Sequence, residues 1–198
     1  SFFTARLAAQ GDIALAANAI LMQLVTFAAY LLDGFAFSAE ALVGKSIGAR
    51  DEGRFVQAMR ISTLWAALCG VGAGLCILLG GGLIIDLMTV SAPVRIEARQ
   101  FLTWAALGPV VGFACYQLDG IFIGATRTRD MRDMMLLSVV VYMSAALLLP
   151  LAMGIHGLWL ALLGGLAVGA AVTVAVLAGG DDAVTVATTT TVDGADAL

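Results

Sequence analysis

Five apolar segments, each long enough to cross a bilayer, constrain this chain more than any other feature. A spanning helix needs about 20 residues at a rise of about 1.5 Å per residue. Only 12% of the residues are charged, which is about half the share typical of a soluble domain. The sequence therefore predicts an all-α, polytopic membrane helix bundle. The segments are Ile13–Leu32 (continuing to about Ile47), Ile61–Ile85, Gln100–Leu118 (continuing to about Thr126), Met134–Ile155 and Gly157–Gly180.

The two ends of the chain differ in character from these segments. Ser1–Ala5 are too few residues to span and are interpreted as the end of one more helix. The expected bundle is thus about five complete transmembrane helices plus that end, in a fragment whose N-terminal part is missing. Residues 1–178 are predicted to form one transmembrane lobe. Residues 179–198, rich in Thr, Val and Asp, are predicted to be a low-complexity, disordered tail.

Basic residues are distributed unevenly between the connecting loops. Seven of the ten Lys and Arg residues fall in loops 45–60 and 127–132, whereas Arg6, Arg95 and Arg99 fall on the other side. Because cytoplasmic loops carry the excess of Lys and Arg, both loops and the C-terminus are predicted to be cytoplasmic. We accordingly expect a multi-pass protein of a cell (inner) membrane, with the lipid bilayer as its immediate partner.

Two acids lie within the apolar segments, in near-copies of one motif. Leu32-Asp33-Gly34-Phe35-Ala36-Phe37 returns as Leu118-Asp119-Gly120-Ile121-Phe122-Ile123. A charged side chain at the centre of a bilayer costs roughly 2.5–3.5 kcal/mol on insertion scales, so it is rare and usually functional. Two such acids in repeated contexts indicate a cation or proton site built by internal duplication, as in many secondary transporters.

Further polar side chains surround both acids. Glu40 shares a helix face with Asp33, and Tyr30 precedes Asp33 by three residues. Protonation or cation binding would neutralise such a site, and the neutral and charged forms would favour different conformations. We therefore predict H⁺ or Na⁺ as the coupling ion, with no other cofactor. The predicted coupling-ion or substrate-binding residues are Asp33, Glu40, Asp119, Gln117, Tyr30 and Tyr116.

Structural roles for these acids remain as alternatives. Asp33 or Asp119 would then cap a broken helix or pair with an arginine across the bundle. Glu40, nearer the predicted cytoplasmic end, would be solvated or paired with Lys45.

Proline and glycine mark expected packing features. Pro109 is predicted to kink the third helix at or just before Gly108, since proline removes one backbone hydrogen bond and crowds the preceding turn. Small residues four apart let helix backbones approach where lipid gives no hydrophobic driving force. We interpret these pairs as packing positions, or alternatively as interfaces that slide during a conformational cycle. The pairs are Gly44/Gly48, Gly70/Gly74, Gly108/Gly112, Gly120/Gly124 and Gly165/Gly169.

Three other functional classes are not supported by the sequence. Residues 44–48 match the G-x-S-x-G nucleophile pattern around Ser46. The single histidine, His156, is however predicted at the opposite end of the bundle, roughly 30 Å away, so we expect no enzyme. The three cysteines and one histidine lack the spacing of a zinc site, and no metal is predicted. No basic patch with interleaved aromatics predicts nucleic-acid binding.

Two motifs resemble those of a known transporter family. Residues 31–44, followed by Gly48-Ala49-Arg50, resemble the eighth helix and following loop of multidrug and toxic compound extrusion (MATE) transporters. Residues 117–126 resemble the tenth helix of that family. The likeness is greatest to the subgroup named after the DNA-damage-inducible F protein, and it extends from Ser1 to about Ala178.

The resemblance implies a cation-coupled antiporter of about twelve helices in two six-helix lobes. Such proteins export amphipathic or cationic drugs and other toxic compounds in exchange for H⁺ or Na⁺. This chain would be the end of the seventh helix and the eighth to twelfth helices, so the missing N-terminal lobe is an expected partner. Asp119 matches the tenth-helix acid, and Asp33 and Glu40 match the eighth-helix pattern of the subgroup.

Two other functions remain open. A lipid-linked-precursor flippase of the same superfold would carry an anionic headgroup and would hold Arg or Lys within its spans. Here every interior charge except Lys45, at a helix end, is acidic, which favours cationic cargo. A non-transporting membrane scaffold subunit would have no reason to bury acids. Neutral replacements of Asp33 and Asp119 would then be stabilising or silent.

Overall fold

The computed structural model describes residues 11–179, and their regular structure is helical throughout. The predicted N-terminal helix end and residues 180–198 of the predicted tail lie outside the described residues, whereas Gly179 ends the last helix. The helices are α1 (Asp12–Gly48), α2 (Glu52–Met88), α3 (Ala92–Gly124) and α4 (Thr128–Gly179).

In this part of the chain, four helices are long and apolar enough to cross a membrane, whereas the sequence predicts about five spans and the end of another. The difference lies in α4, which contains the last two predicted spans. Its backbone leaves the helical region at Gly154, where φ is 57° and ψ is −131°. A positive φ is accessible to glycine at little cost. The helix therefore changes direction at this residue.

Contacts beyond Gly154 show that α4 folds back on itself. A Cβ atom on Gly157 would lie 2.5 Å from the carbonyl oxygen of Leu149. Farther along, Gly165 packs against Tyr142 and Gly169 against Ser138. As the residue number rises along the second segment, the number of its contact partner falls along the first. The two segments therefore form an antiparallel hairpin. Its two segments are residues 128–153 (α4a) and residues 155–179 (α4b).

The helices α1 and α3 end in the same local structure. Arg50 and Thr126 follow the two helices with φ values of 54° and 57°. The amide of the next residue donates back to the last turn: Asp51 N to Ser46 O over 3.1 Å, and Arg127 N to Phe122 O over 3.0 Å. These bonds satisfy carbonyls that a helix end leaves open. The loops to α2 and α4 are consequently only a few residues long.

Helix α3 is central to the bundle because it packs against α1, α2 and α4. Its contact with α2 is made through glycines. A Cβ atom on Gly70 or Gly74 would lie 2.7 Å from the carbonyl oxygen of Pro109 or Ala106, respectively. The helix continues across Pro109, and the kink expected there stays a prediction.

Buried side chains form two clusters at opposite ends of the bundle. The Thr89 end, where α2 meets α3 and α1 begins, holds the larger cluster, which includes Leu21, Phe101 and Trp159. The Arg50 end, where α1 meets α2 and α3 meets α4, holds a smaller one. The buried members of the smaller cluster are Ala39, Val43, Leu118, Ile121 and Ala170.

Candidate functional site

The two acid-bearing motifs lie side by side because α1 and α3 touch along their backbones. A Cβ atom on Gly120 would collide with the carbonyl of Ala36, and one on Gly124 would lie 2.5 Å from Glu40 O. The contacting residues advance together along both helices, so α1 and α3 run parallel here. Glycines four apart on α3 thus make the close approach that such spacing permits.

Asp33 and Asp119 are brought into one electrostatic neighbourhood by this contact. Both side chains are partly buried, and each carboxylate lies within the field of the other. The hydroxyl of Tyr116 lies within the field of both. Among residues 11–179, neither acid forms an ion pair with a basic side chain. Both helices continue beyond their acids, so neither acid caps a helix start.

A cavity of about 220 Å³ opens beside Asp119, between α3 and α4. Its wall is mostly apolar, with one carboxylate, one thiol, one hydroxyl and three thioethers, and no lining residue is basic. Thioethers are polarizable and adapt to irregular shapes. The lining residues are Cys115, Asp119, Phe122, Met131, Met134, Met135, Ser138, Val139 and Gly169.

The α4 wall of this cavity contains none of the site residues predicted from the sequence. Met131, Met134, Met135 and Ser138 are spaced as neighbours on one helix face, and that spacing was the available signal. It does not identify which helix the face meets. Only the fold shows that it meets the Asp119 side of α3.

Glu40 lies in a separate groove at the Arg50 end. The groove has a volume of about 460 Å³ and lies between α1 and α3. Lys45 lines the same groove, and the two side chains form no ion pair in the described structure. The other lining residues are Phe37, Ala41, Gly44, Ile123 and Gly124.

Gln117 bonds to another helix, and Tyr30 is largely exposed. The Gln117 side chain is buried, and its Nε2 donates to Ser62 Oγ on α2 over 2.7 Å. Its Oε1 is buried without a protein partner. Tyr30 is 66% exposed on the outer face of α1. Of the six predicted site residues, the fold gathers Asp33, Tyr116 and Asp119 and leaves the other three elsewhere.

The residues of the G-x-S-x-G match are occupied in other ways. Ser46 Oγ donates to the carbonyl oxygen of Leu42 over 2.8 Å, within its own helix. His156 lies at the turn of α4, where it accepts a hydrogen bond from Trp104. The serine is at the Arg50 end and the histidine at the Thr89 end.

Comparisons with known proteins agree with these features. The MatE family profile matches residues 1–148, and the chain belongs to this family. Its members are membrane transporters rather than enzymes. Family membership and the apolar helices together make the chain an integral membrane protein. The resemblance to MATE transporters inferred from the motifs is thereby confirmed.

A particular relative is DNA damage-inducible protein F of Escherichia coli (strain K12). The two sequences are 41% identical over 152 residues, which make up 77% of this chain and 33% of that protein. The chain therefore spans about a third of the length of this relative.

Proposed function

We propose that this chain forms the C-terminal lobe of a cation-coupled antiporter that uses H⁺ or Na⁺ to export amphipathic or cationic compounds. Membership of the MatE family supports membrane efflux. The observation that carries the coupling proposal is the pair Asp33 and Asp119, held on parallel helices without a basic partner among the described residues.

Electrostatics gives this pair a role in ion coupling. Two carboxylates that share a poorly solvated site repel each other, and a bound proton or cation relieves the repulsion. The occupied and empty forms of the Asp33–Asp119 site then favour different packings of α1 against α3. Exchange of a cation for a charged substrate follows when the two compete for the same negative charge.

The exposed face of α1 supports a two-lobe arrangement. This face mixes polar residues such as Gln23, Ser38 and Lys45 with exposed aromatic rings such as Phe27 and Phe37. The exposed face of α2 is more uniformly aliphatic, with Leu64, Leu68, Leu75, Leu79 and Leu83. Aliphatic side chains suit lipid, whereas polar side chains within a membrane face protein or water. We assign the α1 face to an N-terminal lobe and the central pathway, and the α2 face to the bilayer.

Charge favours cationic cargo over the anionic headgroup of a lipid-linked precursor. The cavity beside Asp119 has a carboxylate and no basic lining residue. Lys45 is the one basic residue that lines the groove beside Glu40. By the distribution of Lys and Arg, loops 45–60 and 127–132 and the C-terminus are assigned to the cytoplasmic side of an inner membrane.

The test is drug efflux from membrane vesicles by the full-length transporter that carries this chain, with Na⁺ and pH gradients imposed in turn. Asp33→Asn and Asp119→Asn are each expected to abolish gradient-driven export while membrane insertion persists. Asp12→Asn is the matched control, because it makes the same chemical change at an exposed acid in the first turn of α1. The gradient that drives the unaltered protein names the coupling ion.

Export by Asp119→Asn at the unaltered rate under both gradients would show that this acid is structural. A scaffold role predicts that result together with unchanged or raised stability of both Asn variants. Uptake of a lipid-linked anionic precursor by the unaltered protein, without transport of organic cations, would favour the flippase.

A further inference from the structure

A histidine joins two helices at the point where α4 reverses direction. His156 follows the positive-φ residue Gly154 by two positions. Its imidazole packs on Phe101 of α3, with 4.7 Å between ring centroids. Trp104, one turn farther along α3, donates its indole Nε1–H to His156 Nδ1 over 3.1 Å. The imidazole therefore adds a packing contact and a hydrogen bond to the apolar packing between the α4 turn and α3.

This attachment depends on the protonation state of the histidine. An indole N–H can only donate, so its partner must be an imidazole nitrogen without a proton. A protonated imidazolium carries N–H on both nitrogens and has no acceptor left. The conclusion holds for either orientation of the ring. Histidine is also the side chain that changes charge near neutral pH.

We propose that Trp104 and His156 form a proton-sensitive latch that fastens the turn of α4 to α3. A proton from the aqueous phase binds the imidazole nitrogen that accepts from Trp104. The indole N–H then loses its acceptor and turns to water, since His156 is exposed and Trp104 only partly buried. The tip of the hairpin is then held to α3 by apolar packing alone and is more mobile.

The side chains of α3 that contact His156 are aromatic. Its partners on α3 are the two aromatic rings, and within the described residues it forms no ion pair or hydrogen bond with a charged group. The carboxylate of Asp86 is already paired with Arg99 and Arg95. Among residues 11–179, the charged groups of this end of the bundle are Asp12 on α1, Asp86 on α2, and Arg95, Glu97 and Arg99 on α3.

A second attachment at the same end does not titrate. Trp159 Nε1 on α4b donates to Asn18 Oδ1 on α1 over 2.8 Å, and both side chains are buried. Protonation of His156 therefore loosens the tip from α3 while α4b stays bound to α1. Because α3 also carries Asp119, the latch ties external pH to the freedom of the helix that bears the proposed site.

The test follows the indole N–H signals of the full chain in lipid nanodiscs by ¹⁵N NMR between pH 8 and pH 5. The chain has three tryptophans, and Trp104→Phe identifies the signal of Trp104. In the unaltered chain, the chemical shift of this signal is expected to change in a single transition as the pH falls. The change is from the value of a hydrogen-bonded indole N–H to that of a free one. In His156→Gln the amide oxygen accepts the same bond at every pH, so the signal is expected to stay constant.

Hydrogen exchange of amides in residues 152–158 provides the second readout. After correction for the intrinsic effect of pH, exchange at pH 5 relative to pH 8 is expected to rise about fivefold in the unaltered chain, as for one lost hydrogen bond. His156→Gln is expected to show no rise.

Two results would overturn the latch. A transition of the Trp104 signal in His156→Gln would assign the titration to another group. A transition in the unaltered chain without faster exchange in residues 152–158 would show that the bond titrates but does not hold the turn. Neither readout involves transport, so the latch can fail while the proposed antiport stands, and the reverse also holds.

Discussion

The two ends of the bundle are built differently. At the Thr89 end, α1, α3 and α4 meet around the fully buried Trp159, whose indole is hydrogen-bonded to the buried side chain of Asn18. At the Arg50 end the buried cluster is small. A cavity and a groove lie beside it, and the two acids approach each other. Close packing and satisfied polar groups make an end resist change, whereas empty volume and unpaired charge leave room for it.

The difference suggests that the two ends of the lobe have different roles, one in stability and the other in function. The Thr89 end holds the helices together, and the Arg50 half of the bundle carries the proposed site. Movement of α1 against α3 near Asp33 and Asp119 would then be guided by their glycine contact. Substitutions at the two ends should therefore have unequal effects on stability.

Trp159→Ala is expected to lower the free energy of unfolding more than any other substitution considered. The indole is fully buried, and loss of a buried tryptophan costs about 4 kcal/mol in free energy of unfolding. Met134→Ala is the comparison at the other end. Met134 is also buried but lines an existing cavity, so we expect only about 2 kcal/mol. Unfolding in detergent measures both, and equal losses would break the contrast between the ends.

Gly120→Ala is expected to have the next largest effect, because its new methyl group would meet the backbone of Ala36. Backbone cannot rotate away as a side chain can, so α1 and α3 must separate, at a cost of about 2 kcal/mol. Gly34→Ala on α1 is the matched control, since nothing lies within 4 Å of its Cβ position. An unfolding midpoint for Gly120→Ala at or above that of Gly34→Ala would show that the helices do not depend on this contact.

The sequence predicts the helices and the class of protein well, because the bilayer imposes its own constraints. Apolar length alone identifies the transmembrane segments, and the repeated motifs suggest that Asp33 and Asp119 belong together. The turn of α4 falls at Gly154, close to the predicted boundary between Ile155 and Gly157. The turn requires a residue with positive φ, and glycine adopts that conformation at the least cost.

The remaining features depend on contacts between distant parts of the chain. Asn18 and Trp159 are 141 residues apart, and no local pattern pairs them. Proximity in sequence predicts that Gln117 shares a site with Asp119. On a helix, however, residues two apart face different directions, and Gln117 faces Ser62 on α2.

Gln117→Met tests whether that amide matters to the fold. Its hydrogen bond to Ser62 joins α2 to α3, and such bonds between membrane helices average about 0.6 kcal/mol. The unpartnered Oε1 offsets this gain. The expected loss in free energy of unfolding is therefore below about 0.6 kcal/mol. Ser62→Ala serves as the control from the other side of the bond. A loss several times larger would mean that this hydrogen bond stabilises the Arg50 half of the bundle to an extent comparable with the contribution of Trp159 at the other end.

Arg99→Gln is expected to have the smallest effect, although it lies at the more tightly packed end. Arg99 reaches Asp86 over 2.6 Å, but about half of its side chain is exposed. An exposed ion pair contributes about 0.3 kcal/mol, and salt near 1 M should remove even that.

The loop between α2 and α3 is also held by Arg95, which donates to the carbonyl oxygens of Thr89 and Asp86 over 2.7 and 2.9 Å. Those carbonyls end α2 and need donors whether or not Arg99 is present. Thermal unfolding at low and high salt compares Arg99→Gln with Arg95→Gln. A larger loss for Arg99→Gln would mean that surface charge, rather than the buried cluster and the carbonyl bonds, holds the Thr89 end together.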